Sequence, residues 1–127
     1  TAVRRGVEDD VAFRAGIINE TTADDLATLL TALEGGRAGS TRATRWMREI
    51  LLAQAFNDGI PAGLPGDVRV AHKTGEITAT HHDAAIVYPP RGAPYVLVVL
   101  TRKIPARARA TALAQAIARE VHATLRP

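Results

Sequence analysis

The sequence contains no cysteine, and aromatic residues make up only 4% of its 127 residues. Disulfide bonds, thiol catalysis and cysteine-ligated metals are therefore excluded, although the lack of cysteine does not separate the cytoplasm from an exported location. The longest strongly apolar run, residues 95–100, is far shorter than the roughly 20 residues that a membrane-spanning helix needs. The sequence thus predicts no membrane span.

Lysine is also scarce, since it occurs only at Lys73 and Lys103, and arginine supplies most of the positive charge. The net charge is only +3 and the arginines are spread along the chain, so nucleic acid is not a predicted partner. The densest basic stretch, residues 102–109, is typical of a solvated helix start.

Length and composition predict one globular unit. The chain is 46% hydrophobic and has no repetitive segment, which is enough to build a core. It opens Thr1-Ala2-Val3-Arg4-Arg5, with neither an initiator methionine nor a signal-peptide pattern. We therefore expect residues 1–127 to form a single partial domain that begins inside a longer protein.

Helical periodicity begins after a region without a clear period. Residues 1–20 are predicted to form a loop region with one short turn at most, and residues 21–58 to form two helices. Thr22 is a predicted N-cap of the first helix, Gly35 follows its end, and Ser40 or the next residue caps the second. The predicted apolar stripe of the second helix consists of Trp46, Met47, Ile50 and Leu51.

Residues 67–101 are predicted to form three antiparallel strands: one ending at Lys73, one from about His82 and one from Tyr95. A final helix over residues 105–125 begins with Pro105 in its first turn. The predicted fold class is α+β, with helices packed around a small antiparallel sheet.

The stretch His72-Lys73-Thr74-Gly75-Glu76 ends one predicted strand and precedes the next. It is similar to the Lys-Thr-Gly element of serine β-lactamases and penicillin-binding proteins. Its surroundings follow the family's order, from residues 19–23 through the Trp46-Met47 helix and residues 59–65 to residues 83–87. The whole chain resembles the C-terminal portion of a class A serine β-lactamase-like or penicillin-binding-protein-like fold.

The resemblance assigns roles to the motif. Lys73 would attract the carboxylate of a β-lactam or D-alanyl peptide, and the Thr74 hydroxyl would donate to it. Gly75 would let the substrate lie against the strand, and the backbone N–H of Glu76 would be one oxyanion donor. Glu8 lies where class A enzymes carry the glutamate that acts as deacylation base, but the Leu-Asn pair that usually follows it is absent.

The family's Ser-x-x-Lys nucleophile and Ser-Asp-Asn element do not occur in this sequence. The resemblance therefore implies the C-terminal portion of a serine β-lactamase-like hydrolase that works through an acyl-serine, with the isolated chain inactive. A penicillin-binding or D,D-peptidase-like fragment and a non-catalytic binding module on the same fold are the alternatives. By the resemblance alone, the parent protein is exported, and the apolar edge of the third strand pairs with a missing N-terminal segment or a second copy.

A metal site is the remaining alternative for this region. Two adjacent histidines and a carboxylate are possible ligands, but neighbouring strand residues face opposite sides of a sheet. The residues concerned are His72, His81, His82 and Asp83. We predict no metal and no cofactor, and we assign Trp46 and Met47 to packing in the core or between domains.

Overall fold

The structure is a computed structural model that describes residues 1–125. Its elements in chain order are α1 (Asp10–Arg14), α2 (Ala23–Glu34), α3 (Thr41–Leu52), a 3₁₀ turn (Pro61–Gly63), β1 (Arg69–Ile77), β2 (Thr80–Tyr88), β3 (Tyr95–Leu100) and α4 (Arg107–Leu125). The three strands are antiparallel and lie in the order β1-β2-β3. The predicted α+β class is confirmed, with α2 and α3 against one face of the sheet and α4 against the other.

Local side-chain caps set the starts of α2 and α3. The Thr22 hydroxyl accepts from the backbone N–H of Asp25 at 3.0 Å, and the Ser40 hydroxyl accepts from that of Ala43 at 3.2 Å. These bonds satisfy amide groups that the helix itself leaves without acceptors. Gly35 ends α2, and the following Gly36 has a φ of +72°, a conformation that favours glycine.

The first 20 residues contain a helix that periodicity does not predict. The Asp9 carboxylate accepts from Ala12 N–H at 2.9 Å and caps α1, and an isolated antiparallel bridge joins Ala2 to Glu20. A helix of five residues is too short for a 3.6-residue period to appear in the sequence. This region is therefore more ordered than the predicted loop.

Three other element bounds differ from prediction. β1 runs to Ile77 instead of ending at Lys73, and β2 begins at Thr80, because the two strands continue to pair around a tight turn in which Ala79 has a φ of +55°. At the start of α4 the Ala106 carbonyl accepts from the N–H groups of Arg109 and Ala110, so Pro105 lies just outside the helix.

β2 is the central strand and is buried on both faces. Facing α4, one core cluster consists of Ile60, Ala85, Val87, Val99, Ala114 and Ala118. Facing α2 and α3, the other consists of Leu30, Leu33, Ala71, Ala84 and Ile86. The small alanines of α4 let that helix approach the sheet closely, and the 3₁₀ turn packs against the same helix.

The predicted apolar stripe of α3 is only half correct. Met47 and Leu51 pack against the core, whereas Trp46 is 50% exposed and Ile50 is 71% exposed. The Arg42 guanidinium lies 4.4 Å from the centroid of the Trp46 ring. Helical spacing identifies a wide apolar surface but does not show which part of it the rest of the chain covers. Trp46 does not pack in the core of the described residues, and its packing between domains stays a prediction.

Tyr88 ends β2 and contacts α2. Its hydroxyl donates to the Glu34 carboxylate at 2.6 Å, and Arg48 lies 3.3 Å from the same carboxylate. Burial and the negative charge of Glu34 raise the pKa of Tyr88 above its ordinary value of 10.0. The phenol is therefore favoured over the phenolate in the folded state.

This raised pKa predicts a loss of stability at alkaline pH. The stability that the Tyr88–Glu34 bond gives the folded state is fully present below the unfolded-state pKa of Tyr88. It is lost as pH rises through the folded-state pKa, because unfolding then releases a proton. Tyr88→Phe should flatten the fall in urea midpoint between about pH 9 and pH 12. Tyr95→Phe, which leaves the Tyr88–Glu34 bond intact, should retain more of that fall, and equal slopes in the two variants would contradict the assignment.

Candidate active site

The outer edge of β1 presents backbone groups that β2 does not use. Glu76 pairs with His81 across the two strands. The His81 carbonyl accepts from Thr101 N–H at 3.1 Å, and the His81 N–H donates to the Thr101 hydroxyl at 3.3 Å, so both groups face β3. In an antiparallel ladder this makes Glu76–His81 a non-hydrogen-bonded pair. The Glu76 N–H consequently points away from β2, toward the free edge.

Lys73 and Thr74 lie on the same part of β1. Thr74 is two residues from Glu76 and has the same backbone orientation, so its carbonyl also faces the free edge. The exposed Lys73 ammonium donates to that carbonyl. Among residues 1–125, no carboxylate lies within ion-pair distance of Lys73, so the edge carries one unneutralised cation beside free backbone groups.

Gly75 is not required by the packing around it. A Cβ added at this position would lie 4.0 Å from the nearest atom, the Cβ of His82, which is an ordinary contact. Its backbone does not have the positive φ that favours glycine. The missing side chain therefore leaves space on the outer surface of β1.

A cavity of about 580 Å³ adjoins this strand end, between the sheet, the start of α4 and the loop before the 3₁₀ turn. All four motif residues from Lys73 to Glu76 contribute to its wall, together with Asp58 and Arg107. The predicted site residues of the motif are thus adjacent to a concavity.

Arg107 joins three elements at this cavity. Its guanidinium lies 2.9 Å from the Glu76 carboxylate and 2.7 Å from that of Asp58. The hydrogen bond that Arg107 donates to Glu76 and the negative charge of Asp58 raise the pKa of Arg107. The sequence pattern placed this arginine in a solvated helix start, and it is half-exposed but paired with two carboxylates that are distant in sequence.

A buried polar network lies behind Lys73. His72, which is 1% exposed, meets Asp83 through Nδ1 at 2.9 Å and Asn57 through Nε2 at 3.1 Å. Asp83 is 4% exposed and also accepts from Ile60 N–H at 2.8 Å. Because protein groups occupy both ring nitrogens, His72 has no free lone pair for a metal. Strand periodicity places His72 and Asp83 in neighbouring strands but does not predict their contact with each other or with Asn57.

Two residues outside the motif concern the catalytic roles that the family resemblance implies, Glu8 as the predicted base and Ser40 as the single serine. Glu8 is exposed in the turn before α1 and does not line the cavity beside Lys73. Ser40 is the single serine of the sequence, and its hydroxyl caps α3. Ala43 stands three positions later, where a Ser-x-x-Lys element has lysine. The single serine hydroxyl is therefore engaged at a helix start and lies outside a Ser-x-x-Lys pattern.

A sequence model described as the Beta-lactamase enzyme family matches residues 1–125. The chain belongs to this family. The match confirms the resemblance to serine β-lactamases over nearly the whole sequence. No helix in the described part of this β-lactamase-family chain is long and apolar enough to cross a membrane.

Relatives and solved structures agree with the family. A β-lactamase of Bacillus amyloliquefaciens is 35% identical over 94 residues, which is 72% of this chain but 31% of that protein. The structure of a PBP-A variant, L158E, as an acyl-enzyme complex with penicillin G, superposes with a TM-score of 0.84 at 30% identity. The superposition with this PBP-A variant covers 96% of this chain and 45% of that protein. An ancestral class A β-lactamase, GNCA, superposes with a TM-score of 0.76 at 31% identity and covers 83% and 42% of the two chains.

The chain thus spans less than half the length of these relatives. They are consistent with the predicted partial α+β fold of class A β-lactamases and PBP-A.

Proposed function

We propose that this chain is the C-terminal portion of a serine β-lactamase-like hydrolase that acts on β-lactams through an acyl-serine, and that the chain alone lacks the nucleophile. The observation that supports this most strongly is the free edge of β1, where the Glu76 N–H points outward next to the unneutralised Lys73. The membership of this chain in the β-lactamase family supports the same reaction, hydrolysis of β-lactams.

In this proposal the motif binds the substrate and stabilises charge. Lys73 attracts the substrate carboxylate, and the Thr74 hydroxyl donates a hydrogen bond to it. The substrate lies along the surface left open by Gly75. An upstream serine adds to the lactam carbonyl, and the resulting oxyanion accepts from Glu76 N–H and from a second donor outside this chain. Collapse of this intermediate breaks the lactam C–N bond and leaves the acyl-serine, and the nitrogen takes up the proton that the serine hydroxyl gave up.

The fate of the acyl-serine separates two enzyme types. Hydrolysis needs a base that activates water, and Glu8 is our proposed but weakest candidate because it is exposed and lies outside the cavity wall. Without a base, the acyl-enzyme persists, as in a penicillin-binding protein or D,D-peptidase. PBP-A L158E was itself solved as an acyl-enzyme with penicillin G.

Labelling with a fluorescent penicillin tests the proposal. This chain and a version extended upstream through its natural reading frame are incubated with the probe and followed over time on a gel. Only the extended protein should label. Rapid loss of label indicates a β-lactamase, and persistent label indicates a penicillin-binding protein.

The absence of label from both proteins would contradict an acyl-serine mechanism. A non-catalytic binding module would then be the better account, and the single serine that serves as a helix cap is the observation favouring it.

The outer edge of β3 is the second proposed contact surface. β3 pairs only with β2 in the described residues, so one side of its backbone is free. We infer that an N-terminal segment of the parent protein, or a second copy of this chain, pairs there. Light scattering should show dimers of this chain and monomers of the extended protein, and a stable monomer of this chain at high concentration would count against pairing between copies. Export of the parent protein is proposed from the family alone.

A further inference from the structure

The orientation of the Asn57 side chain determines whether His72 Nε2 donates or accepts in the bond between them. The Asn57 amide nitrogen donates to two backbone carbonyls, those of Gln54 at 3.2 Å and Ala55 at 3.3 Å. Reversing the amide would place its oxygen against both carbonyl oxygens, so the NH₂ group is fixed on that side. The amide oxygen therefore faces His72 Nε2 at 3.1 Å. Since this oxygen can only accept, Nε2 must carry a proton.

The other ring nitrogen faces a carboxylate in a closely fitted position. Asp83 accepts from Ile60 N–H through Oδ2 and meets His72 Nδ1 through Oδ1 at 2.9 Å. A Cβ on Gly59 would lie 2.5 Å from Oδ2, so glycine is what lets the loop reach this carboxylate. One proton completes the bond between Oδ1 and Nδ1, so both ring nitrogens of His72 are held by protein groups.

The surrounding charges do not offer His72 another partner. Arg107 engages Asp58 and Glu76, and His81 lies 3.5 Å from the same Glu76. Lys73, the next residue along the strand, extends toward the opposite face of the sheet. Asp83 is thus the carboxylate that contacts His72.

We propose that His72 is a positioning residue: by bridging Asp83 and Asn57, it holds the end of β1 that carries Lys73 and Thr74 against β2 and the loop over residues 54–60. β1 is an edge strand, so its backbone is held from one side only. The His72 bonds add an anchor through the buried face, directly behind the cation of the proposed site. The effect of His72 on acylation rests on the proposed function, whereas the bridge itself does not.

Nitrogen NMR on this 127-residue chain tests the bridge directly. Nε2 of His72 should show the chemical shift of a protonated imidazole nitrogen, because the Asn57 oxygen that it meets can only accept. In Asn57→Ala, which removes that acceptor, the Nε2 resonance should move. An unprotonated Nε2 in the wild-type chain would overturn the proposal, whatever the parent protein catalyses.

Acylation of the extended protein tests the positioning. Asn57 is exposed, so its variants should fold. Asn57→Ala removes the acceptor at Nε2 and should lower kcat/KM for penicillin acylation about tenfold. Asn57→Asp restores an acceptor for Nε2 but sets its second oxygen against the Gln54 and Ala55 carbonyls, so it should recover only part of the rate. The amide resonances of Lys73 and Thr74 should shift in the alanine variant and return toward wild type in the aspartate variant.

Unchanged acylation and unchanged Lys73 and Thr74 resonances in Asn57→Ala would refute the positioning role. Failure of the extended wild-type protein to acylate would instead refute the proposed function, and the nitrogen spectrum and the resonance shifts would still decide the inference about His72.

Discussion

Replacing Lys73 with alanine in the extended protein is expected to lower the rate of acylation by penicillin about 100-fold. Lys73 is the exposed cation at the free edge of β1, and no carboxylate among residues 1–125 neutralises it. Its loss would remove both the attraction for the substrate carboxylate and the positive potential beside the reacting groups. Stopped-flow measurement of acylation, or the initial rate of fluorescent labelling, gives the effect.

The matched control is Lys103→Ala, because Lys103 is the other lysine of the sequence, is exposed and does not line the cavity. It should acylate at the wild-type rate. A β-lactam ester, which lacks the anionic carboxylate, should reduce the difference between wild type and Lys73→Ala. Equal rates in the two lysine variants with the acid substrate would exclude the proposed role of Lys73.

Replacing Gly63 with alanine is expected to destabilise this chain by about 3 kcal/mol or more, or to prevent folding. A Cβ at Gly63 would lie 2.2 Å from the backbone oxygen of Gln115 and 2.7 Å from its Cα. Both atoms belong to the backbone of α4, which cannot move aside as the end of a flexible side chain can. The variant would have to separate α4 from the 3₁₀ turn and open the core around Ile60.

Gly66→Ala is the control, since no atom lies within 4 Å of the Cβ that it would add. Urea unfolding followed by circular dichroism should give a wild-type midpoint for Gly66→Ala and a much lower one for Gly63→Ala. If both variants unfold at the wild-type midpoint, the close approach of α4 to the turn is wrong.

The features that the sequence predicts well are those encoded by neighbouring residues. The Thr22 and Ser40 caps follow from a hydroxyl three residues before the amide that it serves, and the α+β class follows from helical and alternating periods. The Lys73-Thr74-Gly75 motif at a strand end is likewise a local pattern. Family resemblance adds roles to that pattern, and those roles stay predictions.

The features that the sequence does not predict depend on contacts between residues that are far apart in the chain. Arg107 meets a carboxylate 31 positions away, and His72 meets one 11 positions away, through contacts that no periodicity specifies. The exposure of Trp46 and Ile50 depends equally on which surface the rest of the chain covers. Alternation did place adjacent strand residues on opposite faces, but it could not show that His72 already has two protein partners.

Each strand of the sheet pairs with its neighbour in the chain, β1 with β2 and β2 with β3. Such pairings close short loops, which cost less conformational entropy than joining distant segments. Topologies dominated by contacts of short sequence separation also fold quickly. The meander therefore closes at low entropic cost around β2, the strand against which both cores pack, whereas the contact of α4 with the 3₁₀ turn joins segments about 50 residues apart and closes a much longer loop.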